Sequence, residues 1–299
     1  MARPLVAIDW GTSSLRGARL ADDGAVLEER SFAAGILTVP AGGFPAALEQ
    51  HFGDWLAAPD TLCLMAGMVG SRQGWVEAPY AACPAGPADI AGQLAWVVPG
   101  RVAIVPGLSC EHGGAPDVMR GEETQVFGVL QLLGLADAAQ VTLVLPGTHS
   151  KWVQAEAGRV RGFSTFMTGE VYALLRHQSI LARTLPADDA VFDEAAFDAG
   201  VAHSLRGSGL LGAAFSVRTL SLFERLAEAC RPSYLSGLVI GEELRAQREY
   251  ARDRIVLIGS ATLTSRYERA LSQLGVRAES VGSQATWRGL FDIASTLRP

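Results

Sequence analysis

Apolar runs and polar breaks along the chain predict strands first and helices later. Residues 5–8 are apolar throughout, as in a strand buried on both faces. After Asp9 and Trp10 comes a polar turn, Gly11-Thr12-Ser13-Ser14. A second strand follows over 15–20, then an Asp23-Gly24 hairpin turn and a third strand over 25–30. The same order returns later: an apolar strand over 141–145, the turn Gly147-Thr148-His149-Ser150, a strand, a turn at Gly158 and a strand over 159–163. Gly11 and Gly147, Thr12 and Thr148, and Ser14 and Ser150 correspond at a single offset of 136 residues. A hairpin that occurs once per half-chain predicts two similar lobes.

Between the hairpins, residues 61–66 form a short apolar strand that runs into Gly67-Met68-Val69-Gly70-Ser71-Arg72-Gln73-Gly74-Trp75. Beyond Gly121 the apolar residues Val126, Phe127, Leu130 and Leu133 share one face of a helix. Residues 163–170 read as a strand end passing into a helix, with Thr168 as its N-cap. The last third predicts helices over 215–229 and 232–250, a strand over 254–258, and a helix over 262–274 after Gly259-Ser260-Ala261. The Ala/Asp-rich stretch 186–198 is the expected loose region. The pattern is that of an α/β protein with two domains or one large one.

At 299 residues, with 49% hydrophobic and 19% charged residues, the chain has core to bury and too little charge for disorder. A net charge of −6 argues against nucleic acid as a partner, since phosphate backbones need clustered cations. No apolar run is long enough for a transmembrane helix, and the N-terminus lacks a signal-peptide pattern. Cys63, Cys83, Cys110 and Cys230 are scattered without metal-ligand spacing, so free thiols in a cytoplasmic protein are expected. The histidines show no zinc spacing, and no GxxxxGK[ST] loop is present.

Arginine supplies 24 of the 25 basic residues, and Lys151 is the single lysine. It lies just after the second turn. Each turn offers backbone N–H groups exposed by glycine together with hydroxyls, the donors that cradle phosphate oxygens. A compact ammonium beside such a turn suits a transferring phosphoryl group. Asp9 ends the first strand, where a carboxylate could hold Mg²⁺ beside phosphates; Leu145 stands at the equivalent place in the second copy. In the 67–75 loop, Ser71, Arg72, Gln73 and Trp75 could wall a small-molecule site, and Arg72 could fork onto a carboxylate.

These blocks resemble the actin-like, hexokinase-like superfamily of ATP-dependent kinases and, more narrowly, the 2-dehydro-3-deoxygalactonokinase family of sugar-acid kinases. The likeness rests on residues 9–16, 67–75, 119–125, 145–152, 165–170 and 234–243. It implies a two-lobed actin-like, ribonuclease H-like α/β fold. Each lobe is a mixed sheet opening with a β-hairpin phosphate loop and flanked by helices. The expected lobes are 1–120 and 121–299. The resemblance implies ATP and Mg²⁺ and a small sugar-acid substrate, with a homodimer allowed. Nucleotide contacts would come from Gly11, Thr12, Ser13, Ser14 and Arg16, from Gly147, Thr148, His149 and Ser150, and from Gly259 and Ser260 near adenosine. Arg120, Thr168 and Glu170 join the 67–75 residues as substrate candidates. The family's catalytic aspartate has no exact counterpart: Glu122 or Glu123 is favoured as base, and Asp117 is a third candidate. Other readings are a kinase acting on another sugar or amino sugar, and a non-enzymatic nucleotide-dependent actin-like protein.

Overall fold

A computed structural model describes residues 4–188, 191–207, 209–247, 254–282 and 285–297. The chain divides into two compact units: Met1–Gln140 with Val153–Ser164 and Gly282–Pro299, and Val141–Trp152 with Thr165–Val281. The helix expected after Gly121 and the C-terminal helix both fall in the first unit.

The first unit opens with β1 (Leu5–Trp10), β2 (Leu15–Leu20) and β3 (Val26–Phe32), an antiparallel meander. Helix α1 (Phe44–Phe52) leads to the fully buried β4 (Leu62–Ala66). There follow β5 (Tyr80–Ala82), α2 (Pro87–Ala91), β6 (Ala95–Val98) and β7 (Val102–Ile104). Strands β8 (Gly107–His112) and β9 (Ala115–Met119) precede α3 (Glu122–Leu132). The main sheet has the order β3-β2-β1-β4-β7-β6, with β1, β4 and β7 parallel; β5, β8 and β9 form a smaller sheet. Val6, Ile8, Trp10, Leu15, Phe52 and Met65 pack into one apolar core. That burial accounts for the unbroken apolar runs of β1 and β4.

In the second repeat, β10 (Val141–Leu145), β11 (Ser150–Glu156) and β12 (Arg159–Phe166) follow the same hairpin plan. After them come α4 (Thr168–Gln178), α5 (Glu194–Leu205), α6 (Gly209–Ala213), α7 (Ser216–Leu222) and α8 (Arg231–Ala246). Strand β13 (Ile255–Ile258), α9 (Ala261–Ser272), β14 (Ala278–Val281) and α10 (Ala285–Ser295) complete the order. The second sheet runs β12-β11-β10-β13-β14, with β10, β13 and β14 parallel. Val144, Trp152, Phe197, Leu257 and Leu271 share its core.

Four local expectations differ from the structure. The helix expected over 215–229 ends at Leu222. There Arg225 N–H bonds the Leu220 carbonyl at 2.8 Å and Glu224 takes φ +54°, a left-handed turn closing the helix. Glycine usually marks such a stop, so the sequence carries no sign of this one. Met167, not Thr168, is the N-cap residue of α4, and the Thr168 hydroxyl turns to Glu243. The helix expected over 232–250 runs to Ala246, and residues 248–250 lie outside the described residues. Residues 189 and 190 of the expected loose stretch also lie outside them, whereas α5 already begins at Glu194.

Candidate active site

In the first unit, the β1–β2 turn is closed by Gly11 N–H on the Ser14 carbonyl at 2.9 Å. Thr12, Ser13 and Ser14 are exposed. The following segment braces the turn from below: Ile36 N–H bonds the Gly11 carbonyl at 3.0 Å, and Trp10 Nε1 bonds the Ala34 carbonyl at 2.9 Å. A Cβ on Gly35 would lie 2.3 Å from the Thr12 carbonyl oxygen, so only glycine fits there. Register pairs Asp9 with Arg16, and their side chains meet at 2.5 Å. Arg16 therefore answers Asp9 first, and its guanidinium also lies 5.8 Å from the Trp287 ring centre.

Gly67 follows β4 at φ +93° and lies against Asp9; a Cβ there would be 3.2 Å from Asp9 Oδ1. Gly121, at φ +103°, packs on Gly67 in turn, with a would-be Cβ 3.1 Å from the Gly67 Cα. Two glycines thus bring the start of α3 close to the end of β1. Both α3 glutamates fold back onto the chain: Arg120 N–H donates to Glu122 at 3.0 Å and Gly121 N–H to Glu123 at 2.7 Å. They differ in environment. Glu122 is half-buried, whereas Glu123 is fully buried with Oε1 unpartnered. Burial, with the Glu122 charge adding to it, pushes the Glu123 carboxyl up to about 8. Asp117 stands on β9 opposite Cys110 and accepts the Val118 N–H at 2.8 Å.

The glycine-punctuated loop after β4 walls a cavity of about 460 Å³ with Met68, Ser71, Arg72, Gln73, Glu77, Tyr80 and Arg120. Arg120 stacks on the Tyr80 ring at 4.2 Å, and its Nη2 bonds the Ala78 carbonyl at 2.8 Å. Its Nε and Nη1, and the Ser71 hydroxyl, are buried without a partner. Arg72 is different: it is 87% exposed and paired with Glu77 at 2.9 Å. Trp75 stacks on Phe44 at 6.2 Å and packs against the core, so it supports the loop instead of lining the cavity.

In the second unit, a cavity of about 370 Å³ begins at Gly147 and Thr148 and runs between helices. Thr168, Gly169 and Tyr172 of α4, Ser236, Val239 and Ile240 of α8, and Leu263, Arg266 and Tyr267 of α9 line it. The turn and α4 touch closely: Glu170 N–H bonds the Thr148 carbonyl at 3.1 Å, and a Cβ on Gly169 would lie 2.6 Å from the Gly147 carbonyl oxygen. His149 and Glu170, singled out separately in the sequence, meet at 2.5 Å. Gly259 adjoins the turn, with Pro146 O 3.9 Å from a would-be Cβ, while Ser260 is the N-cap residue of α9. Neither lines the cavity; the first turns of α9 do.

Two hydroxyls expected to face a ligand turn inward. Ser150 donates to Glu243 Oε1 at 2.7 Å, and Thr168 donates to Glu243 Oε2. Lys151 is also buried, at 5% exposure, and Nζ donates to Thr165 Oγ1 at 2.7 Å. The sequence assigns no role to Glu243 or to the cavity residues Tyr172, Ser236, Val239, Ile240, Leu263, Arg266 and Tyr267. Ser236, Val239, Ile240 and Glu243 fall in the block 234–243 that carries the family likeness, but helix periodicity alone gives none of these residues a role.

The sequence pattern of the 2-keto-3-deoxy-galactonokinase family matches residues 9–293. The chain belongs to this family. A protein of Rhizobium meliloti (strain 1021) named "Probable 2-dehydro-3-deoxygalactonokinase DgoK1" is 38% identical over 98% of this chain and 97% of its own length. The 2-dehydro-3-deoxygalactonokinase of Escherichia coli (strain K12) is 37% identical over 98% of each chain. A crystal structure of "a putative 2-dehydro-3-deoxygalactonokinase protein from Sinorhizobium meliloti" superposes with a TM-score of 0.90 at 36% identity, covering 99% of both chains. More distant solved structures, at 11–12% identity and a TM-score of 0.53, share the fold alone. The chain thus has the mixed-sheet, actin-like architecture that the family resemblance implies. Among the described residues, no helix is long and apolar enough to cross a membrane.

Proposed function

We propose that this chain of the 2-keto-3-deoxy-galactonokinase family transfers the γ-phosphoryl group of ATP to the primary hydroxyl of 2-dehydro-3-deoxy-D-galactonate, giving the 6-phosphate and ADP. Family membership across residues 9–293 carries the reading. The two cavities supply its chemistry: one starts at a phosphate-type turn and has apolar walls, and the other holds cationic donors without acceptors.

Adenosine would occupy the cavity between α4, α8 and α9, with Val239, Ile240 and Leu263 against the base and the Gly147–Thr148 backbone toward the phosphates. Residues 11–14 offer a second set of exposed donors. The sugar acid would occupy the cavity beside Arg120. A carboxylate is the acceptor that Arg120 Nε and Nη1 and the Ser71 hydroxyl lack. Arg72 and Gln73, at its rim, would reach hydroxyls.

Glu122 is the proposed base. It is the half-buried carboxylate at the start of α3, beside the Arg120 that would hold the substrate. Glu123 is sealed in and favours its proton near neutrality, which suits an anchor for the Gly121 backbone. The substrate hydroxyl oxygen would bond to the γ-phosphorus as the bond from phosphorus to the β–γ bridging oxygen breaks, and the hydroxyl proton would pass to Glu122.

Among the described residues, no group of three or more His, Cys, Asp or Glu side chains could hold a metal ion. Asp9, once released from Arg16, would give Mg²⁺ a single carboxylate, which fits an ion that takes one or two carboxylates and completes its shell with water and phosphate oxygens. When bound, Mg²⁺ would offset phosphate charge. Lys151, buried at Thr165 Oγ1, would place an ammonium within the fold behind the second turn.

The test is coupled ADP release from ATP across sugars and 2-dehydro-3-deoxy acids. Turnover with the galactonate acid at least ten times that with neutral or amino sugars supports the reading. A preference for a neutral or amino sugar defeats it.

A further inference from the structure

We propose that Glu243 is the positioning residue of the nucleotide cavity, a buried group to which the residue after the phosphate-type turn, the α4 N-terminus and α9 are all tied. The proposal rests on the reading of that cavity as the nucleotide site.

Glu243 lies on the inward face of α8 and is 2% exposed. Its Oε1 accepts from Ser150 Oγ at 2.7 Å and from Trp152 Nε1 at 2.6 Å. Its Oε2 accepts from Tyr267 Oη at 2.8 Å and from Thr168 Oγ1. A carboxylate has about four lone-pair positions, so four donors fill it. The donors come from β11, α4 and α9. Thr168 and Tyr267 line the cavity themselves, and Ser150 is the residue that follows the Gly147–His149 turn.

A neutral side chain does this job less well. Glutamine has one acceptor oxygen and a donor amide, so hydroxyls would have to reverse to meet the amide. The Trp152 indole can only donate. Leaving one of these donors unsatisfied in a dry interior is costly, and hydrogen bonds to a charged acceptor are stronger than neutral ones. Burial holds the Glu243 carboxyl above the usual carboxylate range, and the four donors, which favour the ionised form, reduce that shift without reversing it.

The consequence is directional. Because Ser150 and Thr168 point their hydroxyls at Glu243, the turn is left to meet a ligand with backbone N–H groups and Thr148. Any change at Glu243 releases both hydroxyls and loosens the contact between turn and α4. That loss should appear in nucleotide binding, not in sugar-acid binding.

The experiment is calorimetric titration of the full chain with ADP, alongside KM for each substrate, for Glu243→Gln, Ser150→Ala and Thr168→Val. We expect Glu243→Gln to weaken ADP binding and raise KM for ATP at least 5-fold, with KM for the sugar acid changed less than 2-fold. Each hydroxyl deletion should weaken ADP at least 2-fold and keeps the test alive if the glutamine variant does not fold. Wild-type ADP affinity in folded Glu243→Gln, or in both hydroxyl variants, overturns the proposal. Equal rises in both KM values overturn it too, because they indicate a general structural role. A wild-type chain that binds ADP but does not phosphorylate the sugar acid would sink the substrate assignment, and the ADP titrations would still decide the role of Glu243.

Discussion

Gly169 at the first turn of α4 sits directly against Gly147: a methyl group on Gly169 would lie 2.6 Å from the Gly147 carbonyl oxygen and 2.8 Å from the Thr148 Cα. Both obstacles are backbone, so neither can swing aside. Gly169→Ala must therefore separate α4 from the turn. We expect KM for ATP to rise at least 5-fold with KM for the sugar acid little changed. Titrating each substrate in turn checks this.

The first turn has its own wedge. Gly35→Ala places a Cβ 2.3 Å from the Thr12 carbonyl oxygen and 2.4 Å from the Ser13 Cα. Overpacking of this kind costs about 1–3 kcal/mol. Much of that strain should fall on the exposed residues 11–14, so we expect at least a 10-fold fall in kcat/KM for ATP. The control is Gly42→Ala, where no atom lies within 4 Å of the new Cβ. Its strain is confined to a left-handed φ of +76° on the surface, and activity should hold near wild type.

Glu123 makes a prediction about pH. Its carboxyl is raised in the folded chain from 4.5 to about 8, chiefly by burial. The folded state therefore binds the proton more tightly than the unfolded one. The resulting stability is fully present below about pH 4.5 and is lost as pH rises through about 8. Glu123→Gln keeps an acceptor for Gly121 N–H and cannot ionise. Melting temperature should fall between pH 6 and 9 by roughly 3 °C or more in the wild type than in the variant. Parallel melting curves across that range would show that Glu123 does not titrate there.

Lys151 is the fourth test. Nζ sits 2.7 Å from Thr165 Oγ1 in a site with 5% exposure, which leaves little room for a planar guanidinium. Lys151→Arg should lower kcat at least ~10-fold, about 1.4 kcal/mol of transition-state stabilisation. Single-turnover kinetics on the folded variant would separate that loss from destabilisation.

The repeated hairpin was legible because unbroken apolar runs and the Gly-Thr turns are local signals, and the offset of 136 residues made them a pair. The carboxylates at the start of α3 were legible for the same reason. Side-chain direction was not. Ser14 and Ser150 correspond in sequence, yet Ser14 is exposed and Ser150 is fully buried on Glu243. That difference depends on a partner 93 residues further along the chain. The sequence offers Arg72 as the carboxylate fork and Arg120 only as a further substrate candidate; the fold shows that Glu77 occupies Arg72 and that Tyr80 and Gly70 frame Arg120. The apolar end of the cavity between α4, α8 and α9 was hidden because Val239, Ile240 and Leu263 look in sequence like any helical core residues. Gly35 was overlooked because its constraint is the close approach of a loop distant in sequence, with no sequence mark beyond being glycine.

The reaction itself is best tested by following phosphorus. The purified chain, given ATP, Mg²⁺ and 2-dehydro-3-deoxy-D-galactonate, should yield ADP and the 6-phosphate in equal amounts, seen as a phosphomonoester by phosphorus NMR. Formation of ADP with inorganic phosphate, or of no ADP at all, would contradict the account.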